Sequence, residues 1–341
     1  MSNVPGSIVG KSTNGIRSFE IEGFSSALDL DSPIRMEKTN SFDLASLTKI
    51  VATTASFILL SDSWNLDDEI RKFLPLWKGS DKSSITIRNL LQHTGGLPPW
   101  LPLYTHTQDA SAAHDLIATL PLMSRPGSLR VYSDFGFMTL GKVLQAISGK
   151  NLQDTFNEIV AQPFGLHETS FAIPKTIPAS TSRGDRFELQ MLKTKQPYAI
   201  KENVEDFDKW RTHILTGEIN DGNSFHVFNG ISGHAGLFST VEDLLTFCEK
   251  ITLTPLFESF VEDSFVENFH LGFKSWDDSF GSCRSRFYGH TGFTGTALAV
   301  CPSHNSSIVY LSNRLHTDGI PPQTEELIKA TIAKFHAELH K

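Results

Sequence analysis

Apolar and polar positions fall into different regimes along the chain. Near the N-terminus, Ser7–Gly10 and Ile16–Gly23 are separated by Thr13-Asn14-Gly15, and Asn-Gly between strand-like runs predicts a hairpin. From Ala45 to Leu60, sixteen residues pass without Gly or Pro and are rich in Ala, Leu and Ile. That pattern predicts a helix buried on most sides. A turn and a short helix are expected over Asn65–Pro75, and a helix over Ile85–His93 stopped by Thr94-Gly95-Gly96 and the prolines beyond. Further helices are predicted over Ala110–Thr119, Phe135–Ser148 (capped by Ser133 or Asp134), Leu152–Val160 (ending before Pro163) and Thr240–Ile251. Ala172–Asn229 is polar and weakly periodic, and reads as a long, partly irregular excursion.

The last hundred residues change character. Leu271–Phe273, Phe287–Thr291, Thr296–Cys301 and Ile308–Ser312 read as strands, and Gln323–Leu339 as an amphipathic helix with Leu327, Ile328, Ile332, Phe335 and Leu339 inward. Strands at both ends with helices between them predict an α/β (α+β) fold, an antiparallel sheet flanked by helices. Residues 1–60 and 265–341 would form the sheet part, and 61–264 a mostly helical part carrying active-site loops.

Composition narrows the function. The 341 residues include 30 basic and 38 acidic side chains, for a formal net charge of −8, and no Lys/Arg cluster stands out. Nucleic acid and anionic membrane are therefore not expected partners. Nothing approaches an uninterrupted apolar span long enough for a membrane. The first residues, Met1-Ser-Asn-Val-Pro-Gly6, lack the basic and apolar regions of a signal peptide. The three cysteines, Cys248, Cys283 and Cys301, have no metal or redox spacing and read as reduced thiols. A cytoplasmic location is expected, a periplasmic one only if a leader has been removed. No feature predicts an oligomeric state.

The candidate chemistry begins with Ser46-Leu-Thr-Lys49 at the start of the apolar helix. Positions three apart share a helix face, so a hydroxyl and an ammonium meet there. The helix N-terminus adds positive potential beside Ser46. Burial is expected to lower the lysine pKa from about 10.4. Tyr132-Ser133-Asp134 stands before a later helix and His290-Thr291-Gly292 on a late strand.

In that order the three motifs resemble the serine β-lactamase and penicillin-binding-protein superfamily. The middle triplet opening with Tyr is similar to the branch of class C β-lactamases, DD-carboxypeptidases and esterases. The flanking text agrees, in Leu90-Leu-Gln-His-Thr-Gly-Gly-Leu97, Gly233-His-Ala-Gly-Leu-Phe-Ser-Thr240 and Gly289-His-Thr-Gly-Phe-Thr-Gly-Thr296. The resemblance covers all but about 175–215 and implies a β-lactamase/transpeptidase-like fold.

Chemistry then supplies roles. Ser46 would attack a carbonyl and become acylated, with Lys49 taking or relaying its proton. Tyr132 would act as phenolate base or proton shuttle, held below its usual pKa of about 10 by Lys49 and protonated His290. The resemblance implies an oxyanion hole of the Ser46 and Phe293 backbone N–H groups, each such donor contributing about 3 kcal/mol. It also implies that the strand after Gly292 docks the substrate, beside Thr291. Two departures matter. Asp134 stands where amide-cleaving members carry Asn, and an ionised carboxylate donates no hydrogen bond. His290 replaces Lys and would make carboxylate attraction pH-dependent. The expected function is a serine hydrolase acting on an ester or a small amide or peptide, a cell-wall-derived one included, with a catalytically weak or inactive scaffold or binding relative as the rival. No cofactor is expected.

Other signals read as structural. His93 and His234 sit beside glycines and are expected to cap and pack, and no histidine spacing suggests a metal. Gly136–Val143 nearly matches a phosphate-binding loop, but Val143 replaces the required Ser/Thr. Asp221 and Asn223 are expected in a solvated loop, and Asn305-Ser-Ser307 in a turn.

Overall fold

The computed structural model describes residues 4–79 and 81–340; the first three residues of the stretch read for a signal peptide lie outside them. Nine strands form one sheet, numbered here in chain order: β1 (Gly6–Thr13), β2 (Ile16–Ser26), β3 (Ile34–Arg35), β4 (Ser264–Val266), β5 (Phe269–His270), β6 (Lys274–Phe280), β7 (Cys283–Thr291), β8 (Thr296–Cys301) and β9 (Ser306–Ser312). Their spatial order is β3-β2-β1-β9-β8-β7-β6-β5-β4. The two chain ends thus meet where β1 pairs antiparallel with β9. The fold is the expected α/β arrangement with a large antiparallel sheet flanked by helices.

Both faces of the central strands are covered, which explains why they read as near-continuous apolar runs. Ala297, Ala299, Cys301, Ile308 and Tyr310 pack with Ile328, Ile332 and Phe335 of the Thr324–Glu338 helix. The alternate residues Leu298, Val300, Val309 and Leu311 join the main core with Val241, Leu244 and Leu245, as the two-residue period of a strand requires. On β1, a Cβ at Gly10 would lie 2.4 Å from a methyl of Val241, so only glycine lets the Val241–Ile251 helix approach this closely.

Several local expectations are corrected. The apolar stretch after Ala45 is helical but not one α-helix. It opens as a 3-10 turn at Ala45–Leu47, widens to a π-helix over Lys49–Thr54 and becomes α-helical only at Ala55–Leu59. Ala45 has φ +44°, which no right-handed helix accommodates, so the tight turn is imposed at its start. Leu271–Phe273 is the turn between β5 and β6 rather than a strand. Helical structure also continues through Pro163, with Gln162–Phe164 ended by Gly165 at φ +72°. Ser133 precedes the Asp134–Ser148 helix without a capping bond, its hydroxyl donating instead to the Pro98 carbonyl at 2.6 Å. Asp134 does not cap either.

The 172–229 excursion carries more order than its composition suggests. Ser180–Arg183 pairs with Ile214–Thr216, and helices cover Arg186–Thr194 and Gly222–Phe228. At its base the buried Arg211 guanidinium meets Asp185 at 2.6 Å and donates to the carbonyls of Ile219 and Asn220. Asp221 caps the second helix by accepting from the Ser224 N–H at 2.7 Å, and Asn223 is fully buried between Leu101 and Leu103. Neither lies in a solvated loop, because both satisfy backbone groups of neighbouring segments. Against the expectation of no metal-ligand grouping, the donor atoms of Cys283, His304, His336 and His340 lie within 4.8 Å of one another. Among the described residues, no helix is long and apolar enough to cross a membrane.

Removing one member of a buried ion pair strands its partner, at a cost of about 3–5 kcal/mol. Arg211→Met is therefore expected to lower the urea unfolding free energy by about that amount, with proteolysis concentrating in 172–229. An unchanged midpoint would show that the pair does not hold the excursion.

Candidate active site

Short-range backbone constraints aim Ser46. Phe42–Asp43 pairs with Leu237–Ser239, and the Leu44 N–H donates to the Leu237 carbonyl at 2.9 Å. The buried Asp43 carboxylate accepts from the N–H of Ala45 at 2.9 Å and of Asn220 at 2.7 Å. Burial pushes its pKa up to about 6 against those two donors. Thr294 and Thr296 donate their hydroxyls to the carbonyls of Asp43 and Leu44, at 2.6 and 3.0 Å. These contacts hold Ala45 in its left-handed conformation and place the next residue at the cleft floor.

Two donors converge on Ser46 Oγ. Lys49 Nζ donates at 2.9 Å and Tyr132 Oη at 3.0 Å. The Lys49 side chain is fully buried, and its ammonium also lies 2.8 Å from Asp134 Oδ1 and donates to the His234 carbonyl at 3.2 Å. The Asp134 contact is an ion pair without directed hydrogen-bond geometry at Oδ1. Tyr132 stacks between His93, at 4.4 Å between ring centroids, and His290, at 6.0 Å. His93 Nδ1 accepts from the Ser133 N–H at 3.1 Å and so fixes the backbone beside the phenol.

The electrostatics differ from the sequence expectation in two respects. Burial works to lower Lys49, but the charge of Asp134 and the phenol oxygen outweigh it, and the lysine is raised rather than depressed. Burial raises Tyr132, with Lys49 opposing and Asp134 reinforcing the rise. The resting pair is thus an ammonium and a neutral phenol. His290 is buried, and desolvation together with Lys274 and Lys49 holds it well below the usual histidine range. It is neutral near pH 7 and supplies neither a clamp on the phenol nor a pH-dependent attraction.

The cleft over Ser46 has a volume of about 430 Å³. Thr291, Gly292 and Phe293 form its wall at the end of β7. A Cβ at Gly292 would lie 2.4 Å from the Leu44 carbonyl oxygen, so glycine is what lets this strand end approach the turn that carries Ser46. The Gly292 carbonyl accepts from Thr324 Oγ1 at 3.2 Å, fixing the peptide that carries the Phe293 N–H. Arg314 donates to the Phe293 carbonyl at 2.9 and 2.5 Å. Phe293 meets Phe187 edge-on at 5.7 Å, joining the sheet end to the excursion.

The remaining walls come from residues that the motifs did not reveal. Arg130, Lys274, Glu188, Asp221, Trp100 and Tyr198 all line the cleft. Arg130 lies over the Phe269 ring at 3.3 Å, and its buried Nε has no hydrogen-bond partner. Burial lowers its pKa to about 10. Glu188 is pushed up to about 8 by burial and by Asp221. His234, expected to cap and pack, is buried between Ser232 and Asp221 at 2.8 and 3.0 Å, besides offering its carbonyl to Lys49.

A model of the Beta-lactamase family matches residues 16–332. The chain belongs to the β-lactamase family. It is 31% identical to the N-acetylmuramyl-L-alanine amidase of Bacillus subtilis (strain 168) over 332 residues, covering 85% of this chain and 72% of that protein. Among solved structures it is similar to EstCE1, described as a hydrolase with promiscuous acyltransferase activity (TM-score 0.69, 21% identity, 92% and 89% of the two chains). A D-stereospecific amidohydrolase from Streptomyces sp. is equally similar in fold (TM-score 0.69, 18% identity, 96% and 94%).

Within this β-lactamase-family site, Asp134 is the charge that raises both Lys49 and Tyr132. Asp134→Asn removes an anion that favours the ammonium and disfavours the phenolate, so both pKa values should fall. The inflection at which kcat/KM rises with pH should move to lower pH in that variant, measured on a short acyl ester. A stationary or alkaline-shifted inflection would contradict this assignment.

Proposed function

We propose that the protein is a serine hydrolase working through an acyl-enzyme at Ser46, on an ester or a small amide or peptide derived from the cell wall. The observation that carries this reading is the convergence of Lys49 Nζ and Tyr132 Oη on Ser46 Oγ, at 2.9 and 3.0 Å. Loss of one proton from the Lys49–Tyr132 pair turns a donor into an acceptor. That group takes the Ser46 proton as Oγ attacks the carbonyl carbon. The backbone N–H groups of Ser46 and Phe293 then face the oxyanion, each such donor contributing about 3 kcal/mol. Tyr132 returns the proton to the leaving oxygen or nitrogen as its bond to the acyl carbon breaks. Water repeats the sequence on the acyl-enzyme and restores the serine.

The substrate class follows from the walls. With His290 neutral, the Arg130 guanidinium and the Lys274 ammonium supply the positive charge for a substrate carboxylate. Lys274 is already 3.2 Å from Glu325, which leaves Arg130 as the stronger attractor. Asp134 carries its carboxylate against Lys49 and offers no donor to a substrate amide carbonyl, which favours esters over β-lactams. The name of the Bacillus relative, an amidase, supports amide cleavage as the second arm of this proposal.

A fluorophosphonate is expected to add once to the chain, at Ser46 by peptide mapping, with no adduct in Ser46→Ala. Absence of an adduct with both fluorophosphonate and labelled penicillin would favour the scaffold reading. If the Asp134 charge is what disfavours amides, Asp134→Asn should raise the ratio of penicillin acylation to ester acylation about tenfold, the equivalent of one gained hydrogen bond. A constant ratio would remove that argument.

A further inference from the structure

Cys283 opens β7 and His290 lies seven residues along it, about 23 Å away at the usual rise of a strand. At that distant end of the sheet, four potential ligands from separate segments meet. Cys283 is on β7, His304 ends the 3-10 turn Pro302–His304 after β8, His336 lies in the last turn of the Thr324–Glu338 helix, and His340 follows two residues past its end. Their donor atoms all lie within 4.8 Å of one another.

We propose that Cys283, His304, His336 and His340 form a structural zinc site. Zinc bonds of about 2.3 Å to sulfur and about 2.0–2.1 Å to nitrogen, set tetrahedrally, place nitrogens about 3.3 Å apart and sulfur about 3.6 Å from nitrogen. The Nε2 atoms of His336 and His340 are 3.2 Å apart, and Cys283 Sγ is 3.7 Å from His304 Nε2. One thiolate and three imidazoles suit zinc among divalent ions, and four protein ligands close the coordination sphere, which makes the role structural.

The surroundings orient these ligands. His336 is fully buried, and its Nδ1 lies 2.7 Å from Asp278 Oδ2. A carboxylate there holds the proton on Nδ1 and leaves Nε2 free to face the cluster. The Ser285 hydroxyl lies 2.9 Å from that Nε2, a contact that zinc would replace. His340 stacks on Phe280 with the rings 5.7 Å apart and 6° from parallel. His340 is exposed and gives solvent-side access, while Cys283, a free thiol, is partly buried. On zinc binding the Cys283 thiol, and any imidazole protonated at its ligating nitrogen, would release that proton to solvent, and the bound ion would tie the end of the helix to the β6–β7 hairpin.

No short histidine or cysteine spacing along the chain announces this site, because its four ligands come from separate segments. The signal the chain does carry is His336-Ala-Glu-Leu-His340, two histidines at a one-turn spacing across the helix C-terminus; the other two ligands are neighbours only through the sheet.

The test uses the untagged full chain, stripped with a chelator and titrated with cobalt(II) alone. Expected are one equivalent bound, the intense visible absorption of tetrahedral cobalt, and a thiolate-to-cobalt charge-transfer band. Zinc should displace the cobalt and raise Tm by several degrees, reversibly by chelator. Cys283→Ser should abolish the charge-transfer band, and the exposed His340→Gln should weaken cobalt binding at least tenfold while the chain stays folded. Asp278→Asn should weaken it about 10–100-fold. Absence of stoichiometric binding, weak octahedral-type absorption, or binding indifferent to Cys283→Ser and His340→Gln would overturn the proposal.

Discussion

A lysine ammonium with no exposed surface governs the arrangement of this site. Left uncompensated, a buried charge costs several kcal/mol, and the fold meets that demand from four directions. Asp134 supplies the opposite charge, Ser46 Oγ and the His234 carbonyl accept hydrogen bonds, and the Tyr132 ring lies 5.0 Å away. These groups belong to the turn carrying Ser46, the start of the Asp134–Ser148 helix with the residues just before it, and the loop before Leu237. Satisfying one ammonium therefore fixes three segments relative to one another. The same contacts set the protonation of the pair, because Asp134 favours the ammonium and disfavours the phenolate.

The sheet contributes a rigid edge to that arrangement. Gly292 brings the end of β7 against the Leu44 carbonyl, while Thr294 and Thr296 hold the strained turn before Ser46. His290 on the strand is neutral, and the cleft carries positive charge on Lys274 and on Arg130, which arrives from the loop leading into Tyr132. The excursion completes the enclosure through Glu188, Asp221 and Tyr198, with the Arg211–Asp185 pair at its base. The opposite end of β7 bears the Cys283 and histidine cluster, so one strand separates two chemically different sites.

Patterning along the chain determined the strand and helix inventory where both obey a simple period. Thr296–Cys301 and Ser306–Ser312 were legible because burial on both faces demands continuous apolar residues, and Thr324–Glu338 because one face is buried. Ser46, Lys49 and Tyr132 were legible as a candidate set from their residue types and order, and the structure brings Lys49 Nζ and Tyr132 Oη to 2.9 and 3.0 Å from Ser46 Oγ. What the chain alone did not give was each group's charge. Lys49 reads as depressed when only its burial is considered, and His290 reads as protonated until its own burial and neighbouring cations are known.

The distinction has a physical basis. Periodicity and motif order are local or sequential properties, so composition and spacing determined the fold class, the family resemblance and the candidate nucleophile. Electrostatic energies depend on distances and desolvation, and those arise only when residues far apart in sequence pack together. Tertiary structure alone therefore decided that Asp134 pairs with Lys49, that Arg130 and Lys274 line the cleft beside a neutral His290, and that Cys283 meets three histidines at the far end of the sheet.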